Sequence, residues 1–313
     1  MYPIAFYSRH AETDLWLAPL KAALPEATLN VWPVHDQRAT VALTWATVAL
    51  TWAPDQAFID AHPNLKVIFN MGAGVDAILS LNLPADIAII RVKDGGMAVQ
   101  LAEYCCEAVI RFYRDFPQYE QQRQQHRWQN NLLHHREDYP VGVMGLGVLG
   151  EKIAQSLRQF DYPVNGWSHS RKAIPGVTCY DGQQLEAFLR ASRILICVLP
   201  LTDKTRGILN FHHLSLLKDD GYLINVARGG HLIEEDLIQL IQTRKIRGAT
   251  LDVTQNEPLS DEDPLWQVPQ IRITPHIAGK TQVEHVLAQV VPQITRWFRQ
   301  GEIDGAINLH QGY

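Results

Sequence analysis

The sequence predicts an α/β protein built from two doubly wound parallel sheets. Three observations carry that expectation. Short β-branched runs alternate with longer amphipathic segments along the whole chain, the runs fall into two separate series, and one long amphipathic segment follows the second series. At 313 residues the chain is long enough for two domains, each with its own core.

The first series reads IAFYS, TLNVW, VALTW, KVIFN and IAIIRV. The third has two copies in tandem, Thr40–Ala46 and Thr47–Ala53, both TVALTWA. A seven-residue offset is odd, so one continuous strand would turn equivalent side chains to opposite faces. The second copy is the better strand, because Pro54 and Asp55 end it and begin a helix. From Met97 to Phe116, apolar residues at spacings of three and four (Leu101, Cys105, Val109, Phe112, Phe116) predict a helix. The polar QYEQQRQQHRWQ that follows reads as a solvated helix end or arm, with a contact between two copies of the chain as the sharper alternative.

The second series reads VGVMG, VNGWS, ILICVL, YLINVA, ATLDV and IRITP. In the last segment, Val283, Leu287, Val290, Ile294 and Trp297 mark one helix face, which Pro292 should kink. Coming after the second series, this helix could return to the first domain.

Composition excludes several classes. With 46% hydrophobic and 19% charged residues and a net charge of −5, the chain is a globular protein without a basic tract, so nucleic acid is not an expected partner. The N-terminal MYPIAFYSRH does not read as a signal peptide, and the apolar runs are of strand length, so no membrane partner and a cytoplasmic location are expected. Cys105, Cys106, Cys179 and Cys197 lack CxxC spacing and read as buried reduced thiols. The pairs His134–His135 and His212–His213 have no acid cluster at ligand spacing, and no metal is expected.

Chemistry concentrates in the second series. GLGVLG (Gly145–Gly150) lies between an apolar strand and a helix whose Ile153, Leu157 and Phe160 share a face, the context a dinucleotide site requires. Gly145 makes the tight turn, Gly147 lets the backbone approach a pyrophosphate, and Gly150 permits close helix–strand packing; the first helical N–H groups, from Val148 and Leu149 onward, face the anion. About twenty residues on, where an acid would accept from a ribose 2′-hydroxyl, the chain has Ser168, His169, Ser170, Arg171 and Lys172. An acid there would repel a 2′-phosphate. This turn offers it donors and positive charge, so NADPH is expected over NADH.

Three further signals each follow a strand: INVARGG with Arg228, LDVTQNEPL with Glu257 and ITPHIAG with His276. An arginine can clamp a carboxylate bidentately, and a histidine paired with a carboxylate is fixed in one tautomer suited to general-acid work.

The order GLGVLG, LPLTDKTRGILN, INVARGG, LDVTQNEPL and ITPHIAG resembles the D-isomer-specific 2-hydroxyacid dehydrogenase family over nearly the whole chain. The resemblance implies a Rossmann cofactor domain (97–277) inserted in a discontinuous, flavodoxin-like substrate domain (1–96 and 278–313). Hinges would lie near Asp94 to Met97 and Ala278 to Lys280, with closure excluding water. It implies NADPH-dependent reduction of a small 2-oxo acid, glyoxylate or hydroxypyruvate, by a homodimer. An NADH-linked D-lactate-type or phosphoglycerate-type dehydrogenase is the alternative, and a non-catalytic dinucleotide-sensing protein a more distant one.

Carried onto this sequence, the resemblance makes Arg228 the binder of substrate carboxylate and carbonyl oxygen. His276 becomes the general acid and Glu257 its orienting carboxylate. The amides around Ala73 and Gly74 in NMGAGVD would hold the carboxylate as an anion nest, with Trp52 (rather than Trp45) and Met97 as bulky walls. Asp252 would bond the nicotinamide carboxamide. Leu199, Pro200, Thr205, Val226, Ala227 and Gly279 would line the cofactor.

Overall fold

The computed structural model describes residues 2–9, 13–33, 45–131 and 134–307. It divides into two compact units, one formed by residues 1–96 with 281–313 and the other by Met97–Lys280. The second crossing thus falls three residues beyond the expected 277/278 boundary.

The first unit holds a five-stranded sheet of β1 (Tyr2–Ser8), β2 (Ala27–Val31), β3 (Val48–Trp52), β4 (Val67–Asn70) and β5 (Ala88–Arg91). Their order is β2-β1-β3-β4-β5 and every pairing is parallel, the doubly wound flavodoxin-like order. Period-two alternation feeds two cores. Ile4, Phe6, Leu50 and Phe69 face helices Thr13–Ala23 and Val283–Gln300, while Ala5, Tyr7, Ala49 and Ile68 pack with Phe58, Ile59 and Ile78. The final helix therefore returns to the first sheet, and its residues stay helical from 283 to 300 across Pro292. Its apolar stripe Val286, Leu287, Val290 and Ile294 is buried over the whole length, and that burial outweighs the loss of one main-chain donor.

The second TVALTWA copy supplies β3, registered with Ile4 opposite Val48 and Val48 opposite Val67. Thr40–Thr44 of the first copy lie outside the described residues; its Trp45 is 70% exposed.

The second unit holds seven parallel strands: β6 (Val141–Met144), β7 (Val164–Trp167), β8 (Val177–Tyr180), β9 (Ile194–Cys197), β10 (Gly221–Asn225), β11 (Ile246–Leu251) and β12 (Ile271–Ile273). The order β12-β11-β10-β9-β6-β7-β8 is that of a Rossmann sheet with one strand added beyond β11. Its direction reverses between β6 and β9, which pair in register. At that switch point ligand crevices form in open α/β sheets.

The long helix spans Met97–Tyr113, not Phe116. Asp115 stops it in a left-handed conformation (φ 52°), where its buried carboxylate accepts from Arg247 Nη2 at 2.5 Å and His134 Nε2 at 2.7 Å. A separate, largely exposed helix, Phe116–Gln124, then begins with Pro117 in its first turn and leads to a fully exposed Trp128. His134 thus has an acid partner that spacing did not reveal, as does His212, whose ring lies 3.4 Å from Glu186. All four thiols are free; Cys105, Cys106 and Cys197 are buried, and Cys179 only half so.

Candidate functional site

Residues named in the second series cluster where the strands of the second unit end. Beyond β6, Gly145 has φ 111°, a region closed to side chains, and its ideal Cβ would lie 2.9 Å from the Val198 carbonyl. Gly150 is more constrained: a Cβ there would sit 1.7 Å from the Gly145 oxygen. Gly147, the N-cap of helix Val148–Gln159, differs, since its Cβ would meet nothing within 4 Å. Protein packing accounts for two of the glycines and leaves open space at the third, beside helix N–H groups that lack intrahelical acceptors. A pyrophosphate fits that space and charge.

After β7, Ser168 is buried and its hydroxyl donates to the Ser170 carbonyl at 2.7 Å, closing the turn. His169, Ser170, Arg171 and Lys172 are exposed, and neither Arg171 nor Lys172 forms an ion pair among the described residues. The turn presents two free cations at the strand end. After β9, Thr205 binds its own loop: its Oγ1 donates to the Pro200 carbonyl (2.7 Å) and accepts from the Thr202 N–H (2.8 Å). Leu199 is buried beside them.

Arg228 follows β10 in extended conformation and donates from Nη1 to the Ala227 carbonyl at 2.7 Å. Two residues missed in the sequence place it. Buried Asn225 donates to the Arg228 carbonyl (3.1 Å) and accepts from the Ala227 N–H, and buried His231 meets the same carbonyl through Nδ1 (3.0 Å) and Pro200 through Nε2 (3.3 Å). Gly229 is required, because a Cβ would fall 1.9 Å from the Thr254 carbonyl. The loops after β10 and β11 are thereby in backbone contact. Glu234 Oε1 adds a bond to the Gln255 N–H (2.8 Å), and Gln255 Nε2 donates back to Leu232. Burial raises the Glu234 carboxyl above its ordinary value, although the Gln255 bond opposes it.

This brace presents Glu257. Its Oε2 lies 2.8 Å from His276 Nδ1 and its Oε1 accepts from the Thr254 N–H at 3.2 Å. Burial by itself would raise the Glu257 carboxyl, but the bond and charge of His276, the Thr254 N–H and the Arg228 charge outweigh it and hold it below the usual range. His276 is itself left-handed (φ 54°), in a turn organised by Asp252. One oxygen of that buried carboxylate accepts from Thr274 Oγ1 (2.6 Å) and the Ile277 N–H (2.8 Å), the other from the Ala278 N–H (2.9 Å), and its backbone carbonyl accepts from the His276 N–H (2.9 Å). Asp252, expected to serve a cofactor amide, is committed first to the turn that aims His276. Gly279 lets that segment lie against Leu101, and Met97 is buried beside it.

With Glu257 on Nδ1, the free ring nitrogen of His276 is Nε2, and side chains of both residues remain about two-fifths exposed. Arg228, Glu257 and His276 thus form one constellation that can grip an anion and deliver a proton. Among the described residues, no group of three or more His, Cys, Asp or Glu could hold a metal.

Within the first unit, Ala73 and Gly74 follow β4 in a loop whose carbonyls are tied back by Asn70. The Trp52 ring lies on Gly72, where a Cβ would fall 1.9 Å from Cζ3.

Residues 106–278 match the family model of the D-isomer specific 2-hydroxyacid dehydrogenase NAD binding domain. Glyoxylate/hydroxypyruvate reductase A of Escherichia fergusonii is 38% identical, and that of Enterobacter sp. 39%, each comparison covering 99% of both chains. Among solved structures, a D-isomer specific 2-hydroxyacid dehydrogenase of Xanthobacter autotrophicus in complex with NADPH superimposes with a TM-score of 0.90 at 32% identity, over 99% of each chain. An NADPH-dependent glyoxylate/hydroxypyruvate reductase of Sinorhizobium meliloti with NADP and sulfate gives 0.92 at 31% over the whole of both chains.

Proposed function

The chain belongs to the D-isomer-specific 2-hydroxyacid dehydrogenase family, and from that premise we infer that it reduces glyoxylate and hydroxypyruvate to glycolate and glycerate with NADPH. The observation that carries the reading is the Glu257–His276 pair, 2.8 Å apart, with the charge of Arg228 acting on it.

Bound NADPH would supply the hydride. GLGVLG would hold its pyrophosphate on the helix N-terminus, and Ser170, Arg171 and Lys172 would meet the 2′-phosphate. The chain's own groups do the rest. Arg228 binds the substrate carboxylate and polarises the carbonyl, so that negative charge on the oxygen is stabilised as it develops. His276 delivers the Nε2 proton to that oxygen, yielding the hydroxyl. Glu257 stabilises the charged ring before transfer and fixes which nitrogen faces the substrate. In the first unit the Ala73 and Gly74 amides would meet a carboxylate, with Trp52 as a bulky neighbour, and Met97 of the second unit would be another bulky group limiting the substrate's side chain.

The decisive experiment mixes purified protein with NADPH and each 2-oxo acid and follows NADPH absorbance. Loss with glyoxylate or hydroxypyruvate supports the reading, and no loss with either overturns it. The proposal includes a cytoplasmic homodimer: the exposed Trp128 arm is the surface a second copy would cover, and sedimentation of the Trp128→Ala variant tests it. No helix among the described residues is long and apolar enough to cross a membrane.

A further inference from the structure

The anion nest at Ala73 and Gly74 raises a physical question. A main-chain loop binds an anion only if successive N–H groups point the same way, and loops seldom hold that arrangement unaided. Here the opposite ends of the same peptide planes are anchored. Asn70, 2% exposed at the end of β4, donates from Nδ2 to the Gly72 carbonyl at 2.8 Å and to the Gly74 carbonyl at 2.7 Å. Arg91 Nη1 approaches the intervening Ala73 carbonyl at 3.5 Å. In a trans peptide, C=O and the following N–H point in opposite directions. Turning the carbonyls of residues 72, 73 and 74 toward Asn70 and Arg91 therefore turns the N–H groups of Ala73, Gly74 and Val75 away from them. None of those three N–H groups has an acceptor among the described residues. The Trp52 ring packs against Gly72, where a Cβ would fall 1.9 Å from Cζ3.

We propose that Asn70 is the positioning residue of the substrate-carboxylate nest, a side chain that never touches substrate but sets the direction of the amides that do. The inference rests on the reading of Ala73 and Gly74 given above. Asparagine suits the task because its amide places two N–H donors on one atom, one for each flanking carbonyl. Aspartate has the same shape but only acceptors, and would set oxygen against two carbonyl oxygens.

The test compares wild type with Asn70→Asp and Asn70→Ser. It measures kcat and KM for glyoxylate, NADP affinity, melting temperature, and binding of the unreactive acid oxamate to the NADP complex. The expected result for Asn70→Asp is a KM raised about tenfold or more, a matching loss of oxamate affinity, and kcat and NADP affinity changed far less. Asn70→Ser, which keeps one donor, should fall between the two and decides the matter if the aspartate variant does not fold. Unaltered KM and oxamate affinity in a folded variant would overturn the proposal. So would a parallel decline of kcat, NADP affinity and melting temperature, which marks a merely structural role. If wild type reduces no 2-oxo acid, the functional reading fails by itself. Oxamate binding that is lost on substitution would then still support the positioning role, and its absence in wild type would end that too.

Discussion

His276 and Glu257 meet through Nδ1 and Oε2 at 2.8 Å, although they lie nineteen positions apart and each leaves a different strand. The carboxyl of Glu257 is held below its ordinary value, so its ionised form contributes stability that is present above the unfolded pKa and lost as pH falls through the folded one. The kcat/KM profile should therefore keep Glu257 ionised down to below about pH 4.3, the ordinary glutamate value. A loss of activity near pH 6 that disappears in Glu257→Gln would contradict this. The Gln variant itself should lose about a hundredfold in kcat.

Arg171 and Lys172 stand exposed past β7, and among the described residues no acid is paired with either. Replacing Arg171 by alanine should cut the preference for NADPH over NADH by about ten- to a hundredfold, the worth of one charge-assisted bond to phosphate. Kinetics with both cofactors check it; an unchanged ratio removes Arg171 from the phosphate site.

Much of this molecule was legible because its signals are local. Buried parallel strands read as β-branched runs, and GLGVLG, INVARGG and ITPHIAG each sit where a strand ends. β8 was missed because VTCY lies at the sheet edge, is only partly buried and carries a single β-branched apolar residue. The break at Asp115 was hidden for another reason: its partners Arg247 and His134 are brought to it only by the fold. Asn70, Asn225, His231 and Gln255 were invisible as site residues because their partners are backbone carbonyls of loops, which no side-chain spacing records.

Two glycines of one motif should separate binding from folding. A Cβ at Gly147 meets nothing, so Gly147→Ala should melt close to wild type while losing NADP affinity. A Cβ at Gly150 would fall on the Gly145 carbonyl, so Gly150→Ala should cost about 1–3 kcal/mol of stability as well. Calorimetry beside cofactor titration distinguishes them; equal melting losses would contradict the assignment.

Three of the four thiols should be inert in the folded protein. Burial pushes Cys197 up to about 12, Cys106 up to about 11 and Cys105 well above its ordinary value, while Cys179 is half-exposed. A disulfide reagent at neutral pH should label Cys179 alone until denaturant is added, because only thiolate reacts. Rapid labelling at Cys105 or Cys106, located by peptide mapping, would contradict their placement.

Asp252 offers the sharpest test of how His276 is aimed. Its carboxylate accepts from Thr274 Oγ1, Ile277 N–H and Ala278 N–H, and these three bonds shape the turn in which His276 takes φ 54°. Asp252→Asn keeps the volume but turns an N–H₂ toward donors, so at least one of those bonds is lost and a buried donor is left unsatisfied. The general acid then shifts while Arg228 and the glycine turn stay in place. The expected outcome is a fall in kcat of about ten- to a hundredfold, since misplacing a catalytic group by about 1 Å can cost about a hundredfold. NADP affinity should change much less. A folded Asp252→Asn enzyme with full kcat would show that the turn holds without its carboxylate. An affinity loss as large as the kcat loss would instead return Asp252 to the nicotinamide amide.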